Sequence, residues 1–227
     1  MTAPALELKE VSAGYGPLRV LHDVSLSIST GERVGLVGLN GHGKTTLMRA
    51  IVGLTDSREG EVCIRGVPTT GMRPHQLAGA GVVMVPQGDA LFMGLSVREN
   101  LDSGTCASRA WRDRGARRER VLTLFPRLRE RLHHPAATLS GGERRMLSVG
   151  RGLMMDAAIY LIDEPSLGLA PGIALSLLDT LSRLPLEDGA LLLAEQNATL
   201  LEGRTDRILR LHGGELVDPS EERPWTS

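Results

Sequence analysis

The stretch RVGLVGLNGHGKTTLMRAIVG, Arg33 to Gly53, starts as a short apolar run and ends as a helical pattern. Between the two lies Gly38-Leu39-Asn40-Gly41-His42-Gly43-Lys44-Thr45, in which four residues separate Gly38 from Gly43 and a lysine and a threonine follow. The spacing has a physical purpose. The glycines let the backbone curl so that successive N–H groups converge on one anion. Lys44 adds a point charge, and the Thr45 hydroxyl is a hard oxygen of the kind Mg²⁺ prefers. Thr46 carries the run into the helix, and His42 is expected to contribute its backbone alone. A glycine turn that follows a strand and opens a helix sets its anion at the helix N-terminus, where the dipole favours it. The stretch therefore predicts a phosphate site built on a strand–loop–helix unit.

Outward from this unit the apolar runs recur. Leu6 and Leu8, then Val24, Leu26 and Ile28, alternate with polar residues as half-buried strands do. Glu61 to Arg65 reads as a strand after a turn at Ser57-Arg58-Glu59-Gly60. Gly81 to Val85, Ala157 to Ile162 and Gly189 to Ala194 are unbroken apolar runs, the pattern of strands buried on both faces. Helical patterns lie between them, notably Ile173 to Leu184, and Arg207 to Val217 reads as a closing hairpin around His212-Gly213-Gly214. Strands alternating with helices predict an α/β fold with a mostly parallel sheet flanked by helices. From about Asp89 to Met155 the strand signals stop. We therefore expect one domain over residues 1–227, with a core of about 1–88 and 156–227 and an inserted helical subdomain of about 89–155. In that insert Ser96 and Glu99 make a capping box. Arg109 to Arg131 carries nine arginines against Asp113, Glu119 and Glu130, which reads as a solvated helical face rather than a docking surface. His133-His134-Pro135 reads as a loop.

Composition removes several function classes. A net charge of −1 and an aromatic content of 3% argue against a nucleic-acid footprint or a base-stacking platform. Cys63 and Cys106 stand in no metal or redox spacing and read as inert thiols. No apolar run reaches the roughly 18 residues of a membrane-spanning helix. The opening MTAPALELKE lacks the basic and apolar regions of a secretory signal, and the closing SEERPWTS reads as frayed. The expectation is a cytosolic chain, free to dock on a membrane protein. Lysine occurs only at Lys9 and Lys44, which makes Lys44 conspicuous.

Two further stretches carry chemistry. Ile159-Tyr160-Leu161-Ile162-Asp163-Glu164 is an apolar strand ending in two carboxylates, which fits a Mg²⁺-binding aspartate followed by an acid able to orient water. In TLSGGERRMLSVGRGLM, Thr138 to Met154, Ser140 and Glu143 form a capping box with Gly141 and Gly142 inside the first turn. A helix N-terminus stripped of side chains is a second anion site. The residues alone do not say whose phosphate it holds.

In this order, the phosphate loop, Leu139-Ser140-Gly141-Gly142-Glu143 and Ile162-Asp163-Glu164-Pro165-Ser166-Leu167-Gly168-Leu169 resemble the ATP-binding subunits of ABC transporters along nearly the whole chain. The resemblance implies an N-terminal antiparallel β region beside the phosphate-loop core, and it implies ATP and Mg²⁺ as cofactors. Tyr15 would lie against adenine. Gly38, Leu39, Asn40, Gly41, His42, Gly43, Lys44, Thr45 and Thr46 would surround the phosphates, with Thr45, Gln87 and Asp163 on Mg²⁺. Gln87 would couple the site to a membrane partner, Glu164 would be the general base, and Ser166 to Leu169 the D-loop. In the family the signature helix of one subunit covers the γ-phosphate held by the other, so Ser140, Gly141 and Gly142 would serve a partner's ATP. Gln196 departs from the pattern: it stands where most of the family has a switch histidine, and glutamine can hydrogen-bond a γ-phosphate but cannot carry a proton charge. Glu195-Gln196-Asn197, with LFPRL and SLGLAP, is similar to the smaller ATPase of branched-chain amino acid importers and their urea-importing relatives. Arg144-Arg145 stands where that subfamily often has two glutamines. The implied partners are a second, different ABC ATPase in a heterodimer, two membrane permeases and an external solute-binding protein, at the cytoplasmic face of the membrane and with no nucleic acid. An importer of urea, amides or other amino acids, a soluble ABC ATPase uncoupled from transport, and a module that closes on ATP but barely hydrolyses it are the alternatives.

Overall fold

The computed structural model describes residues 3–105, 111–186 and 188–217. Cys106, Arg109 and the C-terminal SEERPWTS lie outside the described residues. β1 (Leu6–Tyr15) and β2 (Leu18–Ile28) pair antiparallel, Leu6 opposite Ile28 and Tyr15 opposite Leu18. Leu6, Leu8, Val24, Leu26 and Ile28 are buried, so the alternation in the sequence becomes one inward face. β3 (Arg33–Val37) then runs into α1 (Lys44–Ile51). β4 (Ser57–Ile64) adds to the other edge of β1, with a short β5 (Val67–Pro68) beyond it, in the order β2-β1-β4-β5.

Ser57-Arg58-Glu59-Gly60 is therefore strand, not the turn its composition predicts. Gly14 faces Ser57 and Ala13 faces Arg58 across the β1–β4 ladder. The register slips between Lys9 and Ser12, and this bulge absorbs Gly60 at φ +79°.

After α2 (Pro74–Gly79) and β6 (Val82–Val85) the described residues hold helices and no named strand until β7 (Ile159–Asp163). They are α3 (Val97–Ser103), α4 (Arg114–Leu124), α5 (Pro126–Glu130) and α6 (Gly141–Gly152). The expected arginine-rich helix is two, broken at Phe125-Pro126, because proline has no N–H for the i→i−4 bond. Among the described residues, several of its arginines are met within the chain: Arg117 and Arg120 on Asp156, Arg118 on Asp102, Arg129 on Glu119.

α7 (Pro171–Ser182), β8 (Ala190–Glu195) and the hairpin of β9 (Arg207–His212) with β10 (Glu215–Val217) complete the fold. The second sheet has the order β10-β9-β3-β8-β7-β6, with every neighbouring pair parallel except β9–β10. Alternate residues of its central strands feed two cores. Leu36, Leu161, Leu192 and Ala194 join a cluster shared with α1 and the antiparallel sheet. Val37, Ile162, Leu191 and Leu193 join one shared with α3 to α7. Both faces are covered, which is why these strands read as continuous apolar runs. No helix among the described residues is long and apolar enough to cross a membrane.

Candidate active site

Because β3, β6, β7 and β8 run parallel, their C-terminal ends meet at one edge of the sheet, where ligands of such folds collect. At the end of β3 the loop turns through Gly41 at φ +83° and Gly43 at φ +100°. A Cβ on Gly43 would also come within 2.9 Å of Leu21 Cδ2, so glycine is required there twice over. The loop closes around Lys44, whose Nζ donates to the carbonyls of Gly38 at 2.6 Å and Leu39 at 3.3 Å. The same Nζ pairs with Glu164 Oε1 at 2.9 Å. Gln87, just past β6, donates its Nε2 to Glu164 Oε2 at 3.3 Å. Thr45 Oγ1 donates to Asp163 Oδ2 at 2.6 Å.

Asp163 is fully buried, and its Oδ1 has no partner among the described residues. Burial pushes this carboxyl above the usual carboxylate range, while the hydrogen bond from Thr45 pulls it back. A buried orphan carboxylate oxygen beside a threonine hydroxyl and a glutamine is a fitting donor set for a hard divalent cation such as Mg²⁺. A cavity of about 320 Å³ opens over this cluster, lined by the phosphate-loop backbone, Lys44 to Thr46, Gln87 and Glu164.

Other expected residues lie further out. Tyr15 is half-buried at the end of β1, its hydroxyl accepting from Arg49 Nη1 of α1 at 3.4 Å. The His42 amide donates back to Leu39 O at 3.2 Å, and its ring packs edge-on against His212 with centroids 4.5 Å apart. Gln196 is exposed just beyond β8 and is not among the cavity's lining residues. At the start of α6 the capping box is formed: Glu143 N donates to Ser140 Oγ at 3.3 Å and Ser140 N to Glu143 Oε2 at 2.8 Å. Its two glycines differ. Gly141 is exposed, with no backbone or core atom near its missing Cβ, whereas a Cβ on Gly142 would meet Ile173 Cγ2 at 2.9 Å. Packing against α7 thus accounts for Gly142 without any ligand. Among the described residues, none from 138 to 143 lines the cavity over Lys44.

Sequence reasoning passed over two buried charges at this edge. Glu195 accepts from Ser166 N at 3.0 Å and Ser166 Oγ at 2.7 Å, and burial raises its carboxyl. Arg145 of α6 is the other. The one signal for it was the pair Arg144-Arg145 in place of glutamines.

A parallel sheet whose edge carries a glycine-curled loop, a buried lysine and a threonine–aspartate pair defines a phosphate-loop nucleotide-binding protein. Comparison with known proteins narrows this: the family model described as ABC transporter matches residues 21–167, and the chain belongs to that family, whose ATP-binding domain hydrolyses ATP. It is 38% identical to the high-affinity branched-chain amino acid transport ATP-binding protein BraG of Pseudomonas aeruginosa, over 93% of this chain and 91% of the relative. It is 36% identical to the probable branched-chain amino acid transport ATP-binding protein LivF of Archaeoglobus fulgidus, over 85% of this chain and 81% of the relative. Among solved structures, an ATP-binding subunit of an ABC transporter superposes with a TM-score of 0.77 at 29% identity, covering 93% of this chain and 88% of that one. A nucleotide-free ATP-binding cassette shares the fold, with a TM-score of 0.81 at 23% identity and coverage of 96% and 90%.

Proposed function

We propose that this chain is the ATP-hydrolysing subunit of an ABC importer for branched-chain amino acids, working at the cytoplasmic face of the membrane. The observation that carries the reading is the convergence of Lys44, Thr45, Gln87 and Glu164 on one cavity, with Asp163 buried beside it and held by Thr45. The relatives named for branched-chain amino acid transport support the choice of solute.

In this reading Lys44 and the amides of Gly38 to Thr46 hold the β- and γ-phosphates, and the phosphate takes Glu164's place on Lys44. Glu164, released, acts as general base toward the attacking water, an effect typically worth about 10²–10⁴ in rate. Mg²⁺ on Thr45, Asp163 and Gln87 supplies charge neutralisation at the phosphates. Tyr15 stacks on adenine. Gln196 hydrogen-bonds the γ-phosphate when a partner closes over it. Ser140 and the amides of Gly141 and Gly142 belong to the ATP of that partner, a second and different ATPase.

Residues 1–227 act as one ATPase domain, with about 89–155 as the subdomain that carries the signature helix. Two permeases and an external solute-binding protein complete the importer. A groove of about 350 Å³ between β6 and α6, beside exposed Phe92, suits a permease segment. Proteoliposomes holding the chain with its co-purifying permeases, plus the solute-binding protein, test the whole reading. They should accumulate leucine, isoleucine or valine only when ATP is present on the side of this chain. Accumulation of urea or a short amide instead would overturn the solute, and no ATP-driven uptake would overturn the importer.

A further inference from the structure

Arg145 lies two residues past the capping Glu143 on α6 and is 3% exposed. Its hydrogen bonds run to backbone carbonyls. Nη1 donates to Pro86 O at 2.8 Å and Gly88 O at 2.5 Å, Nη2 to Asp163 O at 2.7 Å, and Nε to Pro165 O at 3.2 Å. Pro86 and Gly88 are the neighbours of Gln87. Asp163 and Pro165 are the neighbours of Glu164. One planar guanidinium therefore brackets both residues, holding the chain on each side of the side chains that meet at 3.3 Å in the site. Glu164 needs holding: its backbone is at φ +42°, a region that side-chain-bearing residues rarely adopt. Arg144 adds a second tie to the same loop, its Nε on Asp89 Oδ2 at 2.8 Å and its Nη1 on Leu139 O at 2.9 Å.

We propose that Arg145 is a positioning residue for hydrolysis, which fixes Glu164 and Gln87 in place and ties that placement to the signature helix. The inference rests on the reading of Glu164 as the base. A fork with five donors can reach carbonyls on two segments at once; a glutamine amide has two donors and a shorter stem. Burial lowers the guanidinium's proton affinity, with Asp89, Asp163, Glu195 and Glu164 opposing it. Movement of α6 as a partner's phosphate is engaged would therefore reach Glu164 and Gln87 through a single side chain.

The test is a four-way comparison of wild type, Arg145→Gln, Glu164→Gln and the double variant, by single-turnover ATP hydrolysis in the assembled complex and by ATP binding to the purified chain. Arg145→Gln should slow hydrolysis by about 10²-fold, the scale of a 1 Å misplacement of a reacting group, with ATP affinity nearly unchanged. In the Glu164→Gln background the same substitution should cost little more, because the group it places is already disabled. Arg145→Lys, which keeps the charge without the fork, should fall between, and it carries the comparison if the glutamine variant does not fold. Wild-type hydrolysis in Arg145→Gln, or an equal loss in both backgrounds, would overturn the positioning role. Glu164→Gln hydrolysing at the wild-type rate is a separate failure, that of the base itself, read from a different variant.

Discussion

Lys44 and Glu164 meet at 2.9 Å with side chains 3% and 6% exposed, so the pair is nearly desolvated. A buried pair is weak evidence of net stability, yet removing one charge leaves the other uncompensated. Glu164→Gln should therefore lower the stability of the chain without nucleotide by about 1–3 kcal/mol. Inorganic phosphate or ATP, supplying the missing negative charge, should then stabilise the variant more than the wild type. Thermal denaturation with and without ligand reads both, and equal ligand-induced shifts would mean that Glu164 does not compete with phosphate for Lys44. Asp163 makes a prediction in pH. Its folded-state pKa is raised, chiefly by burial. The native state therefore holds this proton more tightly than the unfolded chain does, and the stability it contributes is complete below the unfolded pKa and lost as pH rises through the folded one. Without Mg²⁺ and ATP, wild-type stability should fall over that window. Asp163→Asn should show a shallower fall, with the remainder from Glu195, whose carboxyl is raised in the same direction. Denaturant melts across pH check this; identical slopes for the two proteins would remove the buried charge as their cause.

At the scale of elements, α6 joins the two halves of the site, and its glycines separate packing from function. A Cβ on Gly142 would press on Ile173 of α7, and overpacking of this kind typically costs about 1–3 kcal/mol. A Cβ on Gly141 would meet only the end of the Arg144 side chain, at an unstrained 3.8 Å. Gly141→Ala should leave the denaturation midpoint unchanged or slightly raised, and Gly142→Ala should lower it. Equal effects would mean that the contact with Ile173 does not set the requirement. The strand–loop–helix at residues 33–53, the capping boxes at Ser96 and Ser140 and the strand ending in Asp163-Glu164 were all legible in the sequence. Each is specified by neighbouring residues: glycines that allow positive φ, a hydroxyl and a carboxylate three residues apart, an apolar run. What was not legible depends on distant partners. Ser57-Arg58-Glu59-Gly60 reads as a turn until β1 is known to bulge beside it. Arg145 reads as one more arginine, because its partners are carbonyls on two other segments and a carbonyl leaves no trace in a sequence. Glu195 was read only as the neighbour of Gln196, since its tie to Ser166 forms across 29 residues.

At the scale of the whole molecule, the fold keeps the Lys44 cavity and the start of α6 as separate features. The cavity is lined by the phosphate loop, Gln87 and Glu164, and Ser140 and Gly141 stand exposed apart from it. A helix N-terminus with Ser140 and Gly141 exposed, apart from the chain's own phosphate loop, fits a head-to-tail pair, in which each chain supplies the cover for the other's ATP. The most direct measurement is single-turnover hydrolysis by the assembled complex carrying Ser140→Arg in this chain, with the phosphate-loop lysine of one ATPase and then of the other disabled. The account predicts that Ser140→Arg abolishes hydrolysis at the partner's site and spares the site built on Lys44 of its own chain. Loss at the Lys44 site with the partner's site intact would contradict it.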